Sequence, residues 1–153
     1  PFVRHHNIKY GGQFPIWVAV ELFTFGMLGS LFDLMRENDQ RAVSREYNLS
    51  PESLSRLIAS AVDVRNICAH YNRLYNRVLD DQPLLPNRLR LYESDRLFPL
   101  LLAFAHILGR ERVLNRLITG LSLLEADFPE ADLSLCGFPE DWRSILEAEA
   151  AQS

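Results

Sequence analysis

From Ser50 onward the chain carries an apolar period that only a helix satisfies. Leu54, Leu57, Ile58, Ala61, Val64, Cys68, Tyr71, Tyr75 and Val78 recur at helical intervals and so fall on one stripe. The start is equally clear: Ser50 suits an N-cap, Pro51 the first helical position and Glu52 the first turn. The next stop signal is Asp80-Asp81-Gln82-Pro83. The sequence therefore predicts one helix from Pro51 to about Leu79, with the rest of the chain as scaffold around it.

The other faces of that helix are unusual in charge. Between Val64 and Arg77 the chain has Arg65, His70, Arg73 and Arg77, the amides Asn66, Asn72 and Asn76, and no carboxylate. His70 lies roughly 160° around the axis from Cys68, so it points away from the packed stripe. Asn66, His70, Arg73 and Arg77 follow one another at intervals that put them on a shared face. Cys68, on the stripe, is expected to be buried and unreactive. Arg65 sits at the stripe's edge, where a guanidinium needs a partner. Two readings stay open here: Arg65 pairs with a structural carboxylate and His70 is a surface histidine, or the two form an anion site.

Pro1 to Gln13 reads as a short helix or extended arm closed by Gly11-Gly12, with Arg4, His5, His6 and Lys9 making it basic. The adjacent histidines point in different directions in either regular structure and read better as solvated side chains than as metal ligands. Pro15 opens a helix expected to run to about Arg36, whose stretch from Ile16 to Phe25 is apolar all round except at Glu21 and Thr24. Such a helix is either central or buried against a second subunit. Glu21 in that setting requires a partner, and Arg65 or Arg73 is the expected one. Gly26-Met27-Leu28-Gly29 matches a Gly-x-x-Gly nucleic-acid loop in form, but with no neighbouring cation, close helix packing explains it better.

Asn38-Asp39 can cap a short helix from Gln40 to Tyr47. Residues 80–94 form the longest loop, whose Arg88 and Arg90 can face solvent or reach an RNA backbone. Helices follow from Asp95 to Leu108, stopped by Gly109, from Arg110 to Ala126, and from about Glu140 to Ala150. No stretch alternates as a strand does, so the fold class is an all-α bundle.

The chain of 153 residues, 48% hydrophobic, fits a single domain from 1 to 153. Its net charge of -4 argues against indiscriminate nucleic-acid binding. Eight acids against Arg143 alone follow residue 124, so the tail end is acidic and the body before it mildly basic. Two cysteines, with no disulfide framework and no signal peptide, point to a reducing cytoplasm. The apolar run Leu97 to Leu108 is too short to span a bilayer. A Gly-rich phosphate loop, a His-Glu-x-x-His pair and a nucleophile elbow are all missing from the sequence. No cofactor and no metal is expected.

The run Arg65-Asn66-Ile67-Cys68-Ala69-His70, continued by Tyr71-Asn72-Arg73-Leu74-Tyr75-Asn76-Arg77, resembles the signature of the Abi-like (abortive infection) family. The likeness extends to Tyr10-Gly11-Gly12, to Pro15 through Glu21 with Phe25-Gly26, and to Gly137 through Trp142. That family is placed in the HEPN superfamily of helical domains, many of them ribonucleases. The resemblance implies a HEPN-like bundle and, since Abi-like proteins carry a further N-terminal region and the chain begins at Pro1, a fragment of a longer protein.

It also implies a function: a metal-independent endoribonuclease of phage-defence or toxin type, with Arg65, Asn66 and His70 catalytic and Asn72, Arg73 and Arg77 binding RNA. Members that cleave RNA bring two motifs together, so the expected assembly is a homodimer, with an antitoxin or phage-derived trigger as a further partner and no membrane. The alternative is a non-catalytic HEPN-like module that binds RNA or protein through the same residues.

Overall fold

In the computed structural model, which describes residues 2–108 and 111–151, every regular element among those residues is helical. The helices are α1 (Phe2–Tyr10), α2 (Ile16–Val20), α3 (Phe25–Leu34), α4 (Glu37–Arg45), α5 (Pro51–Ala69), α6 (Leu97–Leu108), α7 (Glu111–Asp127) and α8 (Trp142–Ala150). Short 3₁₀ turns lie at Asn87–Tyr92 and Leu133–Cys136. The all-α bundle expected from the sequence is present. Gly109 and Arg110, expected to end one helix and begin the next, lie outside the described residues.

The helix expected from Pro15 to Arg36 is two helices. Thr24 takes an extended conformation (φ −71, ψ 161) and its hydroxyl accepts the Met27 N–H at 3.2 Å, so an N-cap restarts the helix inside the apolar run. α2 contributes no buried residue, and Trp17 is 72% exposed. In this chain it is not a central element. Met35 ends α3 by turning extended, and the Gln40 amide donates to the carbonyls of Phe32 (2.9 Å) and Asp33 (3.1 Å). α4 thus begins ahead of the expected Asn38-Asp39 cap, with Glu37 and Asp39 both in its first turn.

α5 starts as its sequence dictates. Ser50 accepts the Ser53 N–H at 3.1 Å and Pro51 fills the first position. α3 lies against it through small residues: a Cβ placed on Gly26 would stand 3.7 Å from Val62 Cγ1, and one on Gly29 would stand 3.0 Å from Ile58 Cγ2. The packing explanation of Gly-x-x-Gly fits these contacts.

The main core lies in the second half of the chain. Leu57 of α5 joins Leu85, Leu89, Phe98, Leu102, Leu114, Phe138, Trp142 and Leu146 in one buried cluster. Tyr92, Phe98, Phe138 and Trp142 run through it as a chain of rings, with centroids 6.0, 5.0 and 5.8 Å apart, within the range of favourable aromatic pairs. Gly137 passes this cluster with φ 83, and a Cβ there would meet Arg96 Cβ at 2.7 Å.

The segment expected to be the longest loop carries the Asn87–Tyr92 turn, and its Arg88, though partly exposed to solvent, is held in an ion pair. Arg88 forms an ion pair with Glu149 of α8, its Nη2 donating at 2.8 Å to a carboxylate that is only 4% exposed. His106 Nδ1 stands 3.7 Å from the same carboxylate. The bond to Glu149 raises the Arg88 pKa above its ordinary value, outweighing the partial burial that would lower it.

Two substitutions test this account by urea unfolding. Gly29→Leu should cost about 1–3 kcal/mol by driving a side chain into Ile58, whereas Gly26→Ala should be tolerated. Arg88→Ala should cost about 2 kcal/mol, less than the ~3–5 of a fully buried broken pair because Arg88 is 43% exposed.

Candidate functional site

α5 stops at Ala69, ten residues short of the expected end, and His70 is its C-cap. The Tyr71 N–H donates to the Cys68 carbonyl at 3.1 Å and the Asn72 N–H to the Ile67 carbonyl at 2.9 Å, with Tyr71 at φ 54. This pair of bonds around a left-handed residue is a standard helix stop, and glycine usually occupies the turning position. A left-handed conformation costs a residue bearing a Cβ about 1–2 kcal/mol.

The early stop changes how the motif is arranged. Asn66 is on the last turn of α5, His70 at its end, and Arg73 and Arg77 on the loop that follows, so the four do not share a helical face. Arg65, His70, Asn72, Arg73 and Arg77 are all exposed and Asn66 is half-buried. The arrangement is a solvent-facing cluster at one end of α5. Arg65 Nη1 donates to Asn66 Oδ1 at 2.9 Å, so Arg65 needs no carboxylate partner.

Glu21, expected to pair with Arg65 or Arg73, is exposed and forms no ion pair among the described residues. With α2 broken from α3 and facing water, its charge has no burial to offset. Cys68 is exposed too, correcting the expectation that it is in the core; Ile67 is the buried neighbour. The stripe runs Leu57, Ala61, Val64, Ile67, because a period of 3.6 residues drifts away from strict steps of four. Tyr71 and Val78, counted on the same stripe, are likewise exposed.

The rest of the motif has a fastening role that its residue types did not disclose. The Asn76 N–H points to Cys136 Sγ at 3.5 Å, and Arg96 donates to Asn76 Oδ1 at 3.0 Å. Tyr75 Oη accepts the Asp132 N–H at 3.0 Å, and the Leu79 N–H donates to the Asp95 carbonyl at 2.9 Å. Ser134, through its hydroxyl and then its backbone N–H, holds the Asp132 carboxyl below its usual pKa range. From Tyr75 onward the loop is therefore tied to the residues just before α6 and to the segment between α7 and α8, and Tyr71 to Leu74 form its outer bend. Asn76 itself is left-handed at φ 54, a conformation asparagine tolerates.

Two surfaces adjoin α5. A cleft of about 330 Å³ is lined by Asn66, Ser30, Asp33, Ser55, Asp63 and Asp81. Its three carboxylates, Asp33, Asp63 and Asp81, make it unfavourable to phosphate. The carbonyl end of α5 also disfavours anions. Arg65, Arg73 and Arg77 carry no ion pair among the described residues. A groove of about 530 Å³ on α3 to α6 is apolar, lined by Phe25, Leu28, Leu31, Met35, Tyr47 and Phe104 among others.

Among the described residues no group of three or more His, Cys, Asp or Glu side chains could hold a metal ion. No helix among them is long and apolar enough to cross a membrane.

The protein is all-helical, and Arg65, His70, Arg73 and Arg77 are exposed at the end of α5 and on the loop that follows. Residues 1–76 match the family model described as Abi-like protein, so the N-terminal half, including Arg65 to Asn76, is similar to that family. The match stops at the loop's fastening point and does not reach Gly137 to Trp142. No curated protein and no solved structure matches the chain.

Asn76→Ala should cost about 2 kcal/mol in urea unfolding, from backbone strain and the lost bond to Arg96. Asn76→Gly should recover the backbone part.

Proposed function

We propose that the protein is a metal-independent endoribonuclease of abortive-infection or toxin type, working in the cytoplasm. The observation that carries this reading is the exposed Arg65, Asn66 and His70 set at the end of α5, with Arg73 and Arg77 on the adjoining loop and no carboxylate paired to any arginine among them. Similarity of residues 1–76 to the Abi-like family supports the phage-defence context, and the Arg-x₄-His spacing supports the HEPN-like assignment.

The chemistry needs only the RNA itself and groups of this kind. The ribose 2'-hydroxyl loses its proton to a base and attacks the adjacent phosphorus. The P–O5' bond breaks as the 5'-oxygen takes a proton from an acid, leaving a 2',3'-cyclic phosphate and a 5'-hydroxyl. An imidazole can serve as base or acid. Arg65, steadied by Asn66, would face the charge that builds on the phosphoryl oxygens, and Asn72, Arg73 and Arg77 would hold the flanking backbone.

One chain brings one motif histidine, while two proton transfers are needed. A homodimer that joins two His70 side chains in one cleft supplies both. Exposed apolar side chains on α2 and α3, such as Ile16, Trp17, Leu31 and Leu34, offer a face for self-association. Unrestrained cleavage of RNA harms the host cell, so an antitoxin or phage-derived trigger is the expected regulatory partner.

A binding module without catalysis is the second reading. It is favoured by one observation: among the described residues no hydrogen bond orients the His70 ring, and Asn66 engages Arg65 in its place.

Incubation with RNA in chelator, followed by analysis of the ends, separates the two. The parent should release 2',3'-cyclic phosphate ends, and His70→Ala should cut about 10²–10⁴-fold more slowly with unchanged sedimentation. RNA left whole by the parent points to the binding module, and undiminished cleavage by His70→Ala removes His70 from the mechanism.

A further inference from the structure

We infer that Tyr71 is a base-stacking residue of this site, taking the face of an unpaired nucleobase beside the phosphodiester held at His70. The inference rests on the ribonuclease reading above and names a side chain that reads the substrate's base rather than its backbone.

Among the described residues the same helix stop occurs at Tyr71, Asn48 and Gly137. At Asn48 the bonds are Asn48 N–H to the Arg45 carbonyl (3.1 Å) and Leu49 N–H to the Ser44 carbonyl (3.0 Å). At Gly137 they are Gly137 N–H to the Ser134 carbonyl (2.9 Å) and Phe138 N–H to the Leu133 carbonyl (3.2 Å). In both cases the left-handed residue is a type that accepts positive φ, and the residue after it, Leu49 or Phe138, packs inward. Stability explains those choices.

At α5 neither choice is made. The left-handed position holds Tyr71, the residue after it is the exposed Asn72, and the Tyr71 ring is 98% exposed. The ring gains nothing from packing and its backbone is strained, next to the one histidine of the motif. Strain kept beside a reactive group is a sign of function.

A phenol ring standing in water beside an imidazole and two residues ahead of Arg73 has the parts of a single-strand site. Such sites pair a cationic track for the backbone with aromatic faces for the bases. Bases in a duplex are covered by their own neighbours, so only an unpaired base offers its face to the ring. The two backbone bonds of the stop fix the Tyr71 Cα relative to His70, so the platform is in place before RNA arrives.

The test uses the full chain carrying His70→Ala, to prevent cleavage, and a single-stranded RNA with 2-aminopurine at one position. Binding should quench the fluorophore as it stacks. Adding Tyr71→Leu should weaken binding about tenfold and remove the quenching, while Tyr71→Trp keeps both. The same sequence as a duplex should bind about tenfold more weakly, without quenching. Tyr71→Gly, which suits the left-handed backbone, should melt no lower than its parent yet bind as poorly as the leucine variant, separating lost stacking from lost fold.

Equal binding and quenching by Tyr71→Leu overturns the inference while leaving the ribonuclease reading standing, provided that the chain with His70 intact cleaves RNA. A chain that neither binds nor cleaves RNA takes both down. A drop in sedimenting mass on Tyr71→Gly makes the ring an interface contact and also overturns it.

Discussion

With Tyr71 held left-handed, the chain leaves α5 on a new course, and the rest of the molecule follows from that turn. Had the helix run on to Leu79, Tyr75 and Asn76 would have travelled along its axis, away from Asp132, Arg96 and Cys136. The turn brings them back onto the C-terminal half, where Phe98, Phe138 and Trp142 form the packed centre. The motif thereby divides in two. Arg65 and His70 stay exposed at the helix end with the half-buried Asn66 between them, and Tyr75 and Asn76 become the clasp joining the N-terminal half to the core.

Charge is distributed by the same logic. The acids after residue 124 mask the basic body in the sum, but two of the strongest pairings they make are local. Glu149 binds Arg88, and Glu125 binds Arg143. The motif arginines are not neutralised by that tail. Beside α5, Asp33, Asp63 and Asp81 line a cleft that Asn66 also borders, and that concentration of carboxylates is unfavourable to phosphate. Because the carbonyl end of a helix repels anions, the proposed binding at the end of α5 would depend on the guanidinium groups, unlike helix N-terminal sites where backbone N–H groups do that work.

The sequence was most legible where a side chain writes the local geometry. Ser50 and Pro51 announced α5 because a hydroxyl cap and a fixed φ act within a few residues, and Gly26 and Gly29 announced close packing for the same reason. The stop at Tyr71 was hidden, since the apolar period ran on through Tyr71, Tyr75 and Val78 and no glycine or proline interrupts it. Thr24 does not stand out as a cap in the sequence because hydrophobic residues surround it. Arg88 could not be matched to Glu149 from residue types alone, as the partner lies 61 positions away. The chemistry-bearing residues were visible as a set, but their geometry depended on a backbone conformation that residue preference argues against.

The histidines set the terms for any acid–base mechanism here. His106 is tied into the Arg88 and Glu149 cluster, inside the bundle's own charge balance, and it belongs to α6 rather than the motif. His5 lies on α1 with its ring edge-on to Tyr10. His70 is the motif's one imidazole, facing water on a backbone fixed by the stop. In a single chain that group would have to accept one proton and deliver the other in turn, with water completing the exchange. In the proposed dimer each His70 keeps one role, and the apolar side chains that α2 and α3 leave uncovered gain a reason for their exposure. Both features, the lone motif imidazole and the unburied Trp17 face, are then accounted for by one two-fold arrangement.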